Sequence, residues 1–468
     1  MRTSLLLTAL FAAALSHTIS AQQLEGAWKG SLSIMGQQLA IQVTFTPQGD
    51  SLAATIDIPQ QAAMKLPLRG VGYAHPNIRF ELPAGPTVAS FEGTRSGDSI
   101  SGRFSQAGYN GTFSLTPGAL TADPPDDTTA PPYRSEEVTF KNGDGVLAGT
   151  LTLPEGTGPH PAVVLVTGSG PQNRDEEIFG FKPFKIIADH LTRAGIAVLR
   201  YDDRGVGGST GASPDQTTND FAADAITAVS TLADRPDIDA ARIGILGHSE
   251  GGIVAPIAAT KSDRVSFIVL LAGTAWPGDT IIMSQIETLM RAGGADSTTI
   301  VRTLTTQRML YVALRTNTGW DDVRTRMRED MLTNLDSMPA EARAMITNVD
   351  STVDGRIEMQ LSSTRTGWFR HFIDFDPATV LRAVRVPVLA LFGEKDVQVP
   401  AKMNMQRMKE AFKKGGVRDF TIKVIPSANH LFQVAEKGTV DEYATLPKRF
   451  APGVLETISG WILEKTKN

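Results

Sequence analysis

The 468-residue chain has no cysteine. It therefore forms no disulfides, and it uses neither a thiolate nucleophile nor a cysteine-ligated metal. No HExxH motif or comparable spacing of metal ligands occurs either, so we expect no metal. Without disulfides the stability of the fold must come from the size of its core, which a chain of this length permits.

Long runs of one charge and long apolar runs are also missing. Lysine and arginine number 45 against 50 aspartate and glutamate, and no basic tract or acidic tail accumulates. We therefore expect no nucleic-acid partner. Beyond the first 21 residues, no apolar stretch approaches the roughly 20 residues that a membrane-spanning helix needs, so we expect no membrane span.

Residues 1–21 have the pattern of a secretory signal peptide. Arg2 lies near the amino terminus, an apolar stretch runs from Leu5 to Leu15, and small and polar residues complete the segment. This pattern predicts an exported protein, periplasmic or secreted, whose mature chain begins near Gln22. A buried core helix is the alternative, which the position at the extreme terminus disfavours.

Residues 22–117 consist of short segments in which apolar and polar residues alternate, with turn residues at intervals of about ten positions. A period of two without a helical period predicts about eight antiparallel strands in a small barrel-like domain or a strongly curved sheet. A barrel of this size either holds one small ligand or is filled by its own side chains. Residues 118–133, with four prolines, predict a semi-rigid linker.

The pattern changes after the linker. Six continuous apolar runs of strand length follow, most of them separated by helix-like stretches. The runs are HPAVVLVTG (160–168), GIAVLRYDD (195–203), ARIGILGHS (241–249), VSFIVLLAG (265–273), VPVLALFGEKD (386–396) and FTIKVIPSANH (420–430). Strands without alternation, connected through helices, predict a mostly parallel sheet covered on both faces by helices. Such sheets bind their ligands at the carboxyl ends of the strands.

One connection is far longer than an ordinary loop. Residues 275–375 separate the fourth run from the fifth, are rich in Met, Arg, Thr and Asp, and contain helical patches. An insertion of this size at the ligand-binding end of the sheet predicts a helical cap. The catalytic domain then comprises residues 134–274 and 376–468.

The end of the third apolar run carries the strongest motif. Gly247 to Gly251 form G-x-S-x-G around Ser249, directly after a predicted strand and before a helix-like run. Glycines flank the serine of a nucleophile elbow because the strained turn leaves no room for side chains. Ser249 is therefore the candidate nucleophile. A glycine-rich structural turn that happens to contain a serine is the alternative.

A serine nucleophile needs a general base and a carboxylate that orients it. His430 is the only one of seven histidines that follows a predicted strand at its carboxyl end. The others lie in the signal segment, the barrel, strand starts, helices, the cap or the nucleophile turn: His17, His75, His160, His190, His248 and His371. Asp396 ends the preceding strand and completes the chain order of the α/β-hydrolase triad. Glu394 is the rival carboxylate.

The oxyanion of an acyl transfer needs fixed hydrogen-bond donors. We expect one from the backbone N–H of Glu250 and another from Ser169 or Gly170, in the loop after the first apolar run. The Glu250 side chain fits the first turn of a helix, where the helix dipole favours an acid. The glycine-rich stretch 201–211 is not a nucleotide-binding motif, because no helix opens on it. We expect its glycines to pass close to the nucleophile turn, with Asp203 and Arg204 fixing the loop by pairing.

Several stretches together carry a family resemblance. In this order they are GSGPQNRDE, RYDDRGVGGSTG, GHSEGG, GWFRHFIDFDP, GEKDVQVP and NHLFQ. They resemble the secreted or periplasmic branch of the α/β-hydrolase superfamily, relatives of bacterial carboxylesterases and of serine aminopeptidase and prolyl-oligopeptidase-like hydrolases, over residues 135–468. The resemblance implies Ser249, Asp396 and His430 as the triad, and a carboxylesterase activity, often on short acyl esters, without a cofactor.

The sequence thus predicts a serine hydrolase that cleaves small-molecule carboxylic esters. Trp368, Phe369 and Phe372 in the cap are candidates for an apolar substrate pocket, and plain cap core is the alternative. A peptidase or amidase with the same triad would need cap carboxylates that recognise an amino terminus. The candidates are Asp321, Asp322, Glu329 and Asp330. A third possibility is a binding protein that acts through its N-terminal barrel. The natural substrate and oligomeric state stay open.

Overall fold

The computed structural model describes residues 24–34, 37–48, 51–58, 63–84, 87–106, 109–119, 131–336, 343, 346, 348–443 and 445–467. The predicted signal peptide and most of the predicted linker lie outside these ranges, so both stay predictions. Within the described part of the chain no helix is long and apolar enough to cross a membrane.

The chain divides into two compact units. The first comprises Met1–Asp126 and Arg324–Gln360, and the second comprises Asp127–Val323 and Leu361–Asn468. This division separates part of the predicted cap, residues 324–360, from the remainder of residues 275–375. The predicted domain boundaries are finer than this division and stay a prediction.

The first unit contains an antiparallel sheet in which all neighbouring strands pair antiparallel. Its strands are β1 (Gly26–Ile34), β2 (Gln37–Gln48), β3 (Ser51–Ile58), β4 (Ala63–Pro67), β5 (Arg69–Ala74), β6 (Asn77–Ala84), β7 (Thr87–Ser96), β8 (Ser99–Gln106) and β9 (Tyr109–Pro117). Their order is β4-β3-β2-β1-β9-β8-β7-β6-β5. Next to β5, Leu68 donates its N–H to Ala54 on β3 (2.9 Å), so the two ends of the sheet approach each other. The barrel-like prediction is confirmed, with nine strands where about eight were expected.

Aromatic side chains fill the space that this curved sheet encloses. Phe80 stacks on Phe91 at 4.7 Å between ring centroids, and Phe113 meets both rings edge-on. All three are at most 2% exposed, as is Phe45, which contacts Phe80. Each buried aromatic ring stabilises the fold by about 1.5–3 kcal/mol through removal of apolar surface from water. This packing favours the interpretation of a barrel filled by its own side chains.

The second unit is built on an eight-stranded sheet. Its strands are β10 (Arg134–Asn142), β11 (Gly145–Leu153), β12 (His160–Val166), β13 (Ala197–Tyr201), β14 (Ile238–His248), β15 (Phe267–Leu271), β16 (Val388–Gly393) and β17 (Phe420–Ile425). The order is β10-β11-β13-β12-β14-β15-β16-β17. The last six pair parallel, whereas β10 and β11 are antiparallel to their neighbours. Every residue of β13, β15 and β16 is buried, because helices cover both faces of such a sheet.

The helices of the described residues pack on this sheet or lie in the insertion after β15. They are α1 (Pro183–Arg193), α2 (Thr218–Ala233), α3 (Gly251–Lys261), α4 (Gly278–Ala292), α5 (Ser297–Thr316), α6 (Trp320–Asp336), α7 (Val349–Thr364), α8 (Gly367–Asp374), α9 (Pro377–Leu381), α10 (Ala401–Gly415) and α11 (Val454–Lys465). The mostly parallel sheet with a helical insertion between β15 and β16 is the predicted architecture. It places the ends of β12, β14, β16 and β17 along one edge of the sheet.

Candidate active site

Ser249 lies on a sharp turn between a buried strand and a helix. β14 ends at His248, and α3 begins at Gly251. Ser249 has a φ of 53°, in the left-handed region, which costs a residue with a side chain roughly 1–2 kcal/mol. Its N–H donates to the carbonyl of Leu271 at the end of β15 (2.8 Å). A serine held in this strained conformation between strand and helix has the local geometry of a nucleophile elbow.

Close approach of main chain explains the two glycines that flank the turn. A Cβ atom on Gly247 would collide with the carbonyl of Gly251, and a Cβ atom on Gly251 would collide with the carbonyl of Val166 at the end of β12. Any side chain at these positions would push the turn away from β12. The loop that follows β12 therefore begins directly beside the nucleophile turn.

We call residues 167–176 the oxyanion loop, after the role predicted for Ser169 and Gly170. A Cβ atom on Gly168 would lie 3.2 Å from Cβ of Ser249, so this part of the loop approaches the serine side chain closely. Gly170 has a φ of 91°, a conformation that favours glycine. Gly168, which directly precedes the predicted donor Ser169, thus lies beside Ser249.

Asp396 and His430 follow the ends of β16 and β17 and are hydrogen-bonded to each other. His430 Nδ1 lies 2.8 Å from Oδ2 of Asp396, and both residues are buried. The other carboxylate oxygen, Oδ1, accepts the N–H groups of Gln398 and Val399, each at 2.8 Å. These backbone donors fix the carboxylate and leave Oδ2 facing the imidazole.

The electrostatics favour an ionised Asp396. Burial by itself would raise the pKa of this carboxyl, but the charge and hydrogen bond of His430 outweigh burial, so the pKa lies below its usual range. An ionised Oδ2 accepts a proton-bearing Nδ1. In the neutral imidazole, Nε2 is then unprotonated and available as a base. The pair has the arrangement that general-base catalysis requires.

The rival carboxylate makes a different contact. Glu394 is exposed, and its Oε2 accepts the N–H of Ser427 (2.8 Å). Of the two carboxylates at the end of β16, the structure brings Asp396 and not Glu394 to His430. The chain behind His430 is fixed by Asn429, a fully buried residue whose Oδ1 accepts the N–H groups of Leu431 and Gln433.

Asp203 and Arg204 do not pair with each other. Asp203 accepts the hydroxyl of Thr167 (2.9 Å) and the N–H of Gln172 (2.9 Å), both in the oxyanion loop. Arg204 instead binds Asp224 on α2 through Nη2 and Nε. The predicted pairing is therefore wrong, because Asp203 holds the oxyanion loop and not its own stretch. The glycines of that stretch do not approach the nucleophile turn; Cβ atoms on Gly207, Gly208 and Gly211 would meet Asp202, Ala148 and Gly145. Burial raises the pKa of Asp203 to about 8.

Further contacts of the same kind hold the rest of the oxyanion loop. Arg174 forms hydrogen bonds to Asp202 through its main-chain N–H (2.9 Å), Nε (3.1 Å) and Nη2 (2.7 Å). The guanidinium of Arg200 on β13 contacts the carboxylate of Asp175. The YDD stretch at the end of β13 thus anchors the oxyanion loop.

The side chain of Glu250 does more than begin a helix. It is buried, and its Oε1 accepts the hydroxyl of Thr218 at the start of α2 (2.7 Å) and the indole N–H of Trp368 on α8 (2.8 Å). Burial raises the pKa of this carboxyl, although both hydrogen bonds act in the opposite direction. Glu250 therefore connects the nucleophile turn to the helical insertion.

The three aromatic residues predicted for a substrate pocket lie together on α8. Trp368 stacks on Phe372 at 5.1 Å, and Phe369 lies 6.1 Å from Trp368 and 6.5 Å from Tyr311 on α5. Because Trp368 is bonded to Glu250, this aromatic cluster is tied to the nucleophile turn. Its role in substrate binding stays a prediction.

Two residues beside the site were not predicted to take part in it. His248 was expected to point away from Ser249, and its ring indeed binds elsewhere, with Nδ1 2.8 Å from Oε1 of Glu176. Glu176 is 1% exposed and ends the oxyanion loop. The sequence offered one signal for this contact. An acid ends the GSGPQNRDE stretch, and a histidine directly precedes Ser249.

The acids considered for recognition of an amino terminus all lie on α6. Asp321 and Asp322 are exposed in the first turn of α6. Glu329 lies 3.2 Å from Arg326 on the same helix, and Asp330 lies 3.8 Å from it. Two of the four acids therefore already face a cation of their own helix.

The chain is similar to a known family of hydrolases and to two characterised enzymes. The model of the family described as serine aminopeptidase, S33 matches residues 182–437, a range that includes Ser249, Asp396 and His430. Esterase EstD of Thermotoga maritima is 28% identical over 344 residues, which cover 73% of this chain and 70% of the esterase. Thiohydrolase apmlB of Arthrinium phaeospermum is 35% identical over 144 residues, 29% of this chain and 42% of that protein.

Comparison with solved structures finds distant similarity. The Pyrococcus furiosus esterase Pf2001 aligns with a TM-score of 0.41 and 13% identity, over 71% of this chain and 90% of the esterase. The family match and the likeness to esterase EstD confirm the resemblance to hydrolases related to carboxylesterases and serine aminopeptidases.

Proposed function

The chain belongs to the serine aminopeptidase S33 family and is a hydrolase, and on this premise we propose that it is a serine esterase with Ser249, His430 and Asp396 as its triad. The observation that carries the proposal is the buried hydrogen bond between His430 and Asp396 (2.8 Å) at the edge of the sheet where β14 delivers Ser249. The likeness to esterase EstD supports an ester as the substrate.

Acylation begins when His430 Nε2 takes the hydroxyl proton of Ser249 as Oγ attacks the ester carbonyl. The carbonyl oxygen becomes an oxyanion, for which we assign two donors, the N–H of Glu250 and an N–H of Ser169 or Gly170. Collapse of the tetrahedral intermediate breaks the bond to the alcohol oxygen, which leaves with the proton from His430. Ser249 is then acylated.

Deacylation repeats the steps with water. His430 takes a proton from the water as it attacks the acyl carbonyl, and the serine oxygen leaves with that proton to restore the free enzyme. Asp396 holds the imidazole in the tautomer with a proton on Nδ1 and stabilises its charged form in both halves of the reaction.

We further propose a preference for short acyl groups, with the alcohol or acyl part against Trp368, Phe369 and Phe372. The family description favours aminopeptidase activity as a second candidate. Glu329 and Asp330 of α6 already face Arg326, which offsets their charge toward a substrate ammonium group, and this favours the esterase. Export also remains part of the proposal, on the strength of residues 1–21.

Hydrolysis assays of residues 22–468 test the proposal. We expect turnover of p-nitrophenyl acetate and butyrate to exceed that of the octanoate ester and of an aminoacyl anilide. Ser249→Ala should abolish turnover, with wild-type circular dichroism as the control for folding. Faster cleavage of the anilide than of all esters would favour the aminopeptidase, and unchanged turnover in Ser249→Ala would reject the serine mechanism.

A further inference from the structure

We propose that Glu176 and His248 form a second imidazole–carboxylate pair, which does not react but positions the oxyanion loop and the main chain of His430 together. This inference rests on the proposed function, since it assigns these residues a task in the same site. Glu176 and His248 are positioning residues in this account, because both act through other groups.

The contacts of Glu176 reach both the loop and the turn. Its Oε1 accepts the N–H of Gly168 (2.7 Å) and faces Nδ1 of His248 (2.8 Å). Gly168 directly precedes Ser169, a candidate oxyanion donor, and it approaches the side chain of Ser249. One buried carboxylate oxygen thus holds the part of the loop that must stay beside the nucleophile.

The other ring nitrogen of His248 extends the connection to the catalytic base. His248 Nε2 lies 3.0 Å from the main-chain carbonyl oxygen of His430, and the two ring centroids are 4.8 Å apart. A carbonyl oxygen only accepts, so Nε2 must carry the proton of this bond. The position of the His430 main chain is therefore set by a side chain adjacent to the nucleophile.

Charge balance supports the same picture. Since Nε2 donates to the carbonyl, an ionised Glu176 requires a second proton on Nδ1, and His248 is then an imidazolium paired with a carboxylate. Burial would lower the pKa of His248, but the charge of Glu176 and the hydrogen bonds raise it above its ordinary value. Both members are buried. Removal of one leaves the other as an unpaired buried charge, which destabilises the fold more than the loss of an exposed partner does.

The pair should affect the rate and not substrate binding. The hydrogen bonds of the pair reach Gly168 in the oxyanion loop and the main-chain carbonyl oxygen of His430. Both parts are used in acylation and in deacylation. The aromatic cluster on α8 makes none of these contacts. A displacement of reacting groups by about 1 Å costs on the order of 100-fold in rate. We therefore expect kcat to fall while KM changes little.

Active-site titration separates this role from a loss of folding. The burst of p-nitrophenol counts competent sites, so kcat per titrated site is independent of the folded fraction. His248→Phe keeps a ring but removes both donors, and we expect kcat per site to fall by about 100-fold. Glu176→Gln keeps an acceptor for Gly168 but removes the charge, and we expect a loss of about tenfold, within the range of a charge-assisted hydrogen bond.

Matched controls come from neighbouring positions outside the site. His190→Phe removes a histidine whose Nε2 contacts Ser459 on α11 (3.0 Å), and Glu177→Gln removes an acid that pairs with Lys182 (3.5 Å). Both controls should keep the wild-type kcat per titrated site. A wild-type value in His248→Phe, or a loss confined to the number of titrated sites, would overturn the proposal.

A second readout does not require hydrolysis. In protein labelled with ¹⁵N-histidine, the Nδ1–H signal of His430 reports its bond to Asp396, and we expect it to shift in His248→Phe and Glu176→Gln but not in His190→Phe. If the wild type shows no turnover that depends on Ser249, the proposed function fails and this signal alone decides on the pair. An unmoved signal in both variants would overturn the positioning role.

Discussion

The indole nitrogen of Trp368 donates a hydrogen bond of 2.8 Å to Oε1 of Glu250, the residue that directly follows the candidate nucleophile. Trp368 lies on α8, in the insertion after β15, and Glu250 directly precedes α3 on the parallel sheet. A main-chain N–H proposed for the oxyanion and a wall of the proposed substrate pocket are thus linked through one buried carboxylate. Pocket and reaction centre should respond together when this bond is lost.

Trp368→Phe tests this link, because it keeps an aromatic ring but removes the donor. Glu250 then loses one hydrogen bond in a buried site, which costs about 1–3 kcal/mol. We expect KM for p-nitrophenyl butyrate to rise by about tenfold, the equivalent of about 1.4 kcal/mol. Trp320→Phe is the control, since its Nε1 donates to Asn317 in an exposed position (3.2 Å). Equal KM values in the two variants would contradict the link.

The choice between the two carboxylates after β16 is tested by Asp396→Asn. An amide in place of the carboxylate favours the wrong imidazole tautomer, and we expect kcat for ester hydrolysis to fall by about 10⁴-fold with little change in KM. Glu394→Gln, which alters only an exposed acceptor for Ser427, should retain wild-type kcat. The assignment is wrong if the effects of the two substitutions are reversed.

The buried carboxyl of Asp203 predicts a pH dependence of stability. Its pKa is raised to about 8 in the folded protein, whereas the unfolded chain ionises it near its ordinary value. Between these values the folded state binds more protons, so the free energy of unfolding falls as pH rises, by at most about 1.4 kcal/mol per pH unit.

Asp203→Asn removes this titrating group and keeps an acceptor. Urea unfolding between about pH 5 and about pH 8 should show a flatter pH dependence for the variant than for the wild type. Parallel curves for the two proteins would mean that Asp203 is already ionised in the folded state.

The packing of the nucleophile turn predicts a strong effect at Gly251. A methyl group there would collide with the carbonyl of Val166, and we expect Gly251→Ala to destabilise the protein by about 3 kcal/mol or more. Gly460 in α11 is the matched control, because nothing lies within 4 Å of a Cβ atom built on it. Gly460→Ala should stabilise by up to about 1 kcal/mol. A soluble Gly251→Ala of wild-type melting temperature would refute the close packing.

Much of the catalytic fold follows from the sequence because burial leaves a simple pattern. The six continuous apolar runs correspond to β12–β17, since parallel strands are covered on both faces. β10 and β11 were not singled out, because they pair antiparallel at one side of the sheet, and β10 alternates like the strands of the barrel. A one-sided burial pattern does not tell which sheet a strand joins.

The sequence could single out Ser249, His430 and Asp396 because chemistry fixes the order of such residues along the chain and the local geometry of a nucleophile turn. Contacts across long stretches of chain were not predictable. Arg204 binds Asp224 instead of Asp203 because α2 packs close to the YDD stretch, and no local pattern encodes that packing. His248 and Glu176, 72 residues apart, meet for the same reason.

The central claim, that Ser249 is an activated nucleophile, is tested most directly by labelling with a fluorophosphonate probe and mass spectrometry of the modified peptide. We predict stoichiometric modification at Ser249, lost in Ser249→Ala and strongly slowed in His430→Gln, with the second protein otherwise folded. No modification of folded wild-type protein, or modification at another serine that persists in Ser249→Ala, would contradict the account.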